Sequence, residues 1–345
     1  MSKTYLGIDL HKKSSVWVLL DEDRNVIKEC KVACHPLSLR LAAKSLPVSA
    51  KQVKAAVEPV CGWRWYSQTL EELGMDVKIA NPHKTRLIAD SKLKNDRVDA
   101  KALAELLRAD FLPESYKAPD DVSELRDMIR HRAYLVRLRS SAKCRIHAIC
   151  TRKGLHLTSH RPLLKAEKEK LENGDNEEIK NLLTVVRELD AHIAPIEGEI
   201  SKISKENQTI KLLMSMPGVG EITGTAIYAE VGDFKRFKTP EELSSYAGLV
   251  PRERSSGKSI HMGHITKTGS KVLRYSVVEA SFRIRNTEKS QTLYDFYDRL
   301  KPKCGAKKAR VALARKMLSI MWYMVKNNTP YQDRSLKSTQ SEVIS

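Results

Sequence analysis

Residues 4–20, TYLGIDLHKKSSVWVLL, decide how the first third of the chain folds. Two short β-rich runs, TYLGIDL and SSVWVLL, flank the polar residues His11, Lys12 and Lys13, the pattern of neighbouring strands joined by a turn. A third β-rich run, NVIKECKVA at 25–33, follows, so the chain opens with three sequential antiparallel strands. Working outward, a helical stretch at 36–46 leads to the apolar strand QVKAAVEP at 52–59 and a helix around 62–74. The strand MDVKIAN at 75–81 comes next, then helical segments after Pro82. The order βββαβαβα predicts an α/β layered domain. Asp9 stands out within it as a charge inside LGIDL, where an apolar residue is expected.

The 345 residues suffice for two or three domains. A net charge of +19 makes a polyanion the natural partner, and nucleic acid is the leading class. The 41% apolar content is ordinary for a folded protein, and no window approaches the ~18 uncharged apolar residues of a membrane span. The first residues carry an acid in their only apolar stretch and no small-residue cleavage site, so no secretory signal is read there. A cytoplasmic, nucleoid-associated location is expected. Six cysteines include no C-x-x-C pair, which argues against a zinc ribbon.

Beyond the α/β region, assigned to residues 1–115, the pattern turns helical and basic. From Arg126 to Lys165 there are eleven lysines and arginines and one acid, Asp127. Arg126, Arg130, Arg137, Arg139 and Arg145 are expected to face phosphates, since uncompensated like charges repel along a helix. Ile179, Leu182, Val186, Leu189, Ile193, Ile196, Ile200 and Ile203 are spaced alternately by three and four residues, a heptad seam. The reading favours self-association through this seam over an internal hairpin, with Pro195 kinking the helix. Residues 116–210 are therefore read as basic helices plus a coiled-coil arm, 211–330 as a mainly helical domain, and 331–345 as a disordered tail.

Three constellations carry candidate chemistry. Asp9 ends the first strand, Glu58 ends the fourth, and Asp96 and Asp99 open a helix on which residues three apart share a face. Either these acids are dispersed caps and turns, or together they hold a hard divalent ion. Oxygen ligands point to magnesium or manganese. In SMPGVGEITGTAIYAEVGD, residues 215–233, Gly218 and Gly220 form a turn like that of a helix-hairpin-helix, whose backbone N–H groups grip a phosphate. In the loop at 249–260, Ser255, Ser256 and Ser259 lie among Arg252, Arg254, Lys258 and the nearby Lys267. Chemistry alone favours a turn over a nucleophile there, and His261 and His264 are open between base, ligand and surface residue.

Taken in order, GIDLHKK, AVEP, Asn81-Pro82, KNDRVDAKALAELL, SMPGVGEITGTAIYAEVGDFKRF, SSYAGLVP, SSGKS and ITKTGSKVLR span essentially the whole chain. With them the sequence resembles the insertion-sequence-110 family of transposases, relatives of Piv-type DNA invertases. The resemblance implies a RuvC-like, ribonuclease-H-type domain whose tetrad is Asp9, Glu58, Asp96 and Asp99, holding magnesium (or manganese). It also implies a helical transposase domain whose serine attacks DNA. The matching position is Ser256, with Ser255 as the neighbouring register. The activity implied is excision and insertion of a mobile element by strand cleavage and rejoining through a phosphoserine. DNA, an element-encoded structured guide RNA and a second copy of the chain, in a dimer or tetramer, are the partners implied. The alternatives are a Holliday-junction resolvase-like nuclease that uses the acids and water, and a nucleic-acid-binding regulator without chemistry.

Overall fold

A computed structural model describes residues 3–88, 95–155, 165–256 and 259–333. The chain divides into two compact units, Met1–Lys117 and Ala118–Ser345. In the first, β1 (Thr4–Leu10), β2 (Ser14–Leu20) and β3 (Val26–Ala33) form an antiparallel meander. Then come α1 (Pro36–Lys44), β4 (Val53–Val57), α2 (Trp63–Glu72), β5 (Asp76–Ile79), α3 (Pro82–Ile88) and α4 (Asp96–Arg108). The sheet order is β3-β2-β1-β4-β5, with β1, β4 and β5 parallel. This is the α/β domain that the alternation in residues 4–20 predicts.

Strand alternation sorts side chains between the two faces. Leu6, Ile8, Trp17, Leu19, Ala55, Val57 and Ile79 are buried with Leu39 of α1 and with Tyr66 and Leu70 of α2. On the opposite face Val18 and Leu20 pack on Ala100 and Ala104 of α4, and Ala56 and Ala80 on Leu103 and Leu107. Gly7 lies under α4 with no room for a side chain: a Cβ there would stand 1.8 Å from the Ala100 carbonyl oxygen and 2.6 Å from the Ala104 nitrogen. Small residues on both elements let the helix backbone lie directly on β1.

The second unit begins with two long helices, α5 (Asp120–Arg152) and, after α6 (Lys165–Glu172), α7 (Glu177–Glu206). It continues through α8 (Gln208–Met214), α9 (Glu221–Val231), α10 (Pro240–Tyr246), the hairpin β6 (Pro251–Ser256) and β7 (Ser259–Ile265), α11 (Lys271–Phe282), α12 (Gln291–Cys304) and α13 (Ala306–Asn327). Leu313, Met317, Leu318 and Met321 of α13 are buried at its centre among residues of α8, α10, α11 and α12.

Two expectations change here. The heptad seam is filled from within the chain: Ile179, Leu183 and Val186 pack on Ala142, Ile146, Ile149 and Cys150 of α5, and Ile200 packs on Leu125 and Ile129. The apolar stripe of α5 is diluted by arginines, so periodicity alone does not reveal it as the partner. Pro195 stands inside α7, whose helix continues on both sides of it. Nor is the middle region a separate domain, because Leu125, Ile129 and Ile200 share a core with Ala226 and Ala229 of α9. No described helix is long and apolar enough to cross a membrane.

Candidate active site

The register that builds the sheet also gathers acids. Ile8 pairs with Val57 across the parallel β1–β4 ladder, so Asp9 and Glu58 follow side by side at the ends of their strands. Alternation points Asp9, like Gly7, away from the Leu6–Ile8–Leu10 core and toward α4. That helix starts at Asn95, whose side chain accepts the Arg97 N–H, and places Asp96 and Asp99 in its first turn, where the helix dipole favours carboxylates. Arg97 also pairs with Glu29 of β3 at 2.6 Å.

Asp9 is buried, 8% exposed. Burial pushes its pKa above the ordinary carboxylate range; His11 opposes that shift, and the charges of Asp96, Asp99 and Glu58 reinforce it. Asp9 thus feels the charge of the other three acids, while the donor atoms that come together are those of Asp9, His11 and Asp96; Glu58 and Asp99 are not among them. His11 Nε2 stands 3.1 Å from Asp9 Oδ2 and 3.2 Å from Asp96 Oδ2. One donor atom each from Asp9, His11 and Asp96 lie within 4.8 Å of one another, room for a single cation. The donor set fits a divalent ion, since clustered carboxylates at a buried aspartate are relieved by compensating charge. Sequence reading passed over His11, although its position two residues after Asp9 was the available signal.

A DEDD-type transposase family model matches residues 6–153, and the model described as "Transposase IS116/IS110/IS902 family" matches residues 210–298. The chain belongs to this transposase family. The transposase is 26% identical over 341 residues to the "Transposase for insertion sequence element IS1111A" of Coxiella burnetii, across 95% of this chain and 91% of that one. It is 26% identical to a "Probable family 20 transposase" of Pseudomonas aeruginosa, across 96% and 99% of the two chains. It is also 24% identical to the "Pilin gene-inverting protein" of Moraxella bovis, across 97% and 99%.

The second unit of the transposase holds the remaining candidates. Ser256 ends β6 and pairs in backbone register with Ser259, as Ser255 does with Ile260 and Arg254 with His261. The side chains of residues 253–262, and all of Gly257 and Lys258, lie outside the described residues. Arg252 is exposed and donates to the Thr266 carbonyl at 3.3 Å; Lys267 is exposed, with its backbone left-handed at φ 56°.

Gly218 turns between α8 and α9 at φ 83°, and a Cβ on it would meet the Ala280 carbonyl oxygen at 2.4 Å, so packing on α11 alone already requires glycine. Gly220 caps α9 without a side-chain bond. The turn borders a cleft of about 780 Å³ whose cations are Arg283, Arg285 and Lys289, none of them singled out by sequence.

Most of the basic stripe of α5 is engaged within the chain. Arg126 is buried and donates to the Ala229 carbonyl at 2.9 Å. Arg130 grips buried Glu230 with bonds of 2.8 and 2.9 Å, and these bonds hold its pKa above the usual guanidinium value. Arg132 pairs with Glu197, Arg139 with Asp190, and Arg145 with Glu178 at 2.9 Å. Arg137 is exposed, 5.6 Å from the Tyr134 ring centre. The neutralising acids come from α7 and α9, 33 to 100 residues away, which counting charges in a window cannot see. Exposed basic charge collects instead where α12 meets α13. Lys301, Lys303, Lys307 and Lys308 are all exposed, make no ion pair among the described residues, and begin an acid-free run from Arg299 to Gln332.

Proposed function

We propose that this transposase cuts and rejoins DNA strands with a ribonuclease-H-type acid cluster and a serine nucleophile. The meeting of Asp9 and Asp96 around His11, with Glu58 one step beyond the Ile8–Val57 pair and Asp99 in the same first turn of α4 as Asp96, carries this reading. Asp9, Glu58, Asp96 and Asp99 hold a divalent ion, magnesium or manganese. When bound, that ion supplies neutralisation of the charge that builds on a scissile phosphate. The Asp9 and Glu58 carboxylates are fixed by the strands that carry them, whereas Asp96 and Asp99 are placed by the start of α4.

Ser256 Oγ attacks the phosphorus and releases its proton to solvent or a nearby base. The bond from phosphorus to the deoxyribose oxygen breaks, and that oxygen takes up a proton. The resulting phosphoserine keeps the energy of the broken diester for rejoining, where hydrolysis would discard it. Arg252, Arg254, Lys258 and Lys267, near Ser256 in sequence, offer positive charge. Gly218 and Gly220, with Arg283, Arg285 and Lys289 around their cleft, offer a second phosphate contact, and the α12–α13 lysines a third. A structured guide RNA pairing with donor and target DNA, and assembly as a dimer or tetramer, complete the proposal. The gene-inverting relatives are consistent with recombination as the outcome.

The experiment is a cleavage and joining assay on element-end DNA with magnesium, run beside a denaturing gel for protein–DNA adducts. Asp99→Asn is expected to abolish cutting, and Ser256→Ala to bind DNA while giving neither adduct nor joined product. Efficient cutting by Ser256→Ala with no adduct in wild type supports the water-using resolvase reading instead.

A further inference from the structure

His11 is the one residue at the acid cluster whose chemistry differs from the rest. It follows β1 by one position, and alternation puts it on the same side as Asp9. Its backbone is pinned twice, by its own N–H to the Ser14 carbonyl at 2.9 Å and by the Cys34 thiol donating to its carbonyl at 3.2 Å. From that backbone the half-exposed side chain sets Nε2 between two carboxylates from different elements.

The single hydrogen on Nε2 can serve Asp9 Oδ2 and Asp96 Oδ2 together only as a shared, three-centre bond, weaker at each acceptor than a linear one. An ion has no such limit. Adjacent donors around an octahedral ion with bonds near 2.1–2.2 Å stand about 3 Å apart, close to the observed 3.1 and 3.2 Å. Nitrogen also favours transition ions over magnesium, which takes oxygen almost exclusively.

Resting on the divalent-ion reading above, we propose that His11 Nε2 is itself a ligand of the ion shared by Asp9 and Asp96. The cluster is then a mixed nitrogen–oxygen site, selective for manganese over magnesium. Of the two ions the acid tetrad alone would accept, this residue chooses one.

The test uses the full-length chain titrated with manganese, followed by electron paramagnetic resonance, with magnesium as competitor. Wild type is expected to bind manganese at the cluster with a nitrogen coupling in the pulsed spectrum, and ¹⁵N-histidine labelling should change that coupling. His11→Ala and His11→Gln should lose the coupling and bind manganese roughly 10–100-fold more weakly, with magnesium affinity changed far less. Circular dichroism confirms that both variants are folded. Stoichiometric manganese without nitrogen coupling, bound equally by wild type and His11→Gln, overturns the assignment of His11 and leaves the acid site standing. Manganese that fails to bind wild type, or binds Asp9→Asn just as well, overturns both readings.

Discussion

Gly7→Ala tests the link between fold and site. The added methyl would sit 1.8 Å from the Ala100 carbonyl oxygen and 2.6 Å from the Ala104 nitrogen, both backbone atoms that no rotamer change can move. Restoring ordinary contact requires α4 to retreat by about 1.5 Å, given carbon contacts near 3.5 Å. Overpacking of this kind costs about 1–3 kcal/mol, and rigid backbone on one side favours the upper end. At an m-value of about 2 kcal/mol/M, a loss of 2–3 kcal/mol lowers the urea midpoint by roughly 1–1.5 M. Tryptophan fluorescence is a suitable probe, because Trp17, Trp63 and Trp65 belong to the first unit and Trp322 alone to the second. The same retreat carries Asp96 and Asp99 away from Asp9 by far more than the ~0.2 Å tolerance of ion coordination, so manganese affinity should fall with stability. Gly198→Ala in α7 is the control: nothing lies within 4 Å of its Cβ position, and alanine in a helix should stabilise slightly. A Gly7→Ala chain that keeps both the wild-type midpoint and its ion affinity would refute the reasoning.

Glu230→Gln removes the charge that Arg130 grips in a buried setting and should destabilise the second unit by about 1–3 kcal/mol, measured by urea or thermal unfolding. Changing Lys301, Lys303, Lys307 and Lys308 together to Gln should flatten the log–log salt dependence of duplex DNA binding by as much as ~3.6, at about 0.9 for each phosphate no longer neutralised. Arg145→Gln, already neutralised by Glu178, should barely move the slope. Asp9 has a raised pKa when folded, so its protonated form is the one the fold favours. That stabilising contribution is full below the ordinary carboxylate pKa and is lost as pH rises through the folded value. Asp9→Asn should therefore be more stable than wild type at pH 7 in metal-free buffer, with the difference shrinking as pH falls toward about 4. A wild type that outlasts Asp9→Asn at neutral pH would contradict the electrostatic account.

The first unit was legible because its information is local. Each strand announces itself by β-rich composition, and a two-residue period then fixes which face Asp9 takes. Glu58 follows from register, and Asp96 and Asp99 from the start of a helix. The second unit was harder because its decisive interactions are long-range. Eleven basic residues from Arg126 to Lys165 look like a phosphate-binding stripe, but Glu230, Glu197, Asp190 and Glu178 stand beside four of them, Arg130, Arg132, Arg139 and Arg145. The seam of α7 was visible as a pattern, whereas its occupant was hidden in a helix with a weaker apolar repeat. His11 offered one weak signal, its place two residues after Asp9 on the same side of the strand's extension; the approach of two carboxylates to one nitrogen is what distinguishes it.

The paired helices α5 and α7 have a geometric implication. Toward the far end, their shared core draws, among the described residues, on α5, α6 and α7, from Ala142 to Cys150 and from Leu171 to Val186. At 1.5 Å per residue, the 33 residues of α5 extend about 50 Å. Such a pair is a ruler. Inserting seven residues into each helix at matching levels keeps every knob in phase and lengthens the reach by about 10 Å, whereas inserting three or four in one helix rotates its apolar stripe off its mate. Length can thus change in whole heptads, leaving the acid cluster and the serine hairpin untouched.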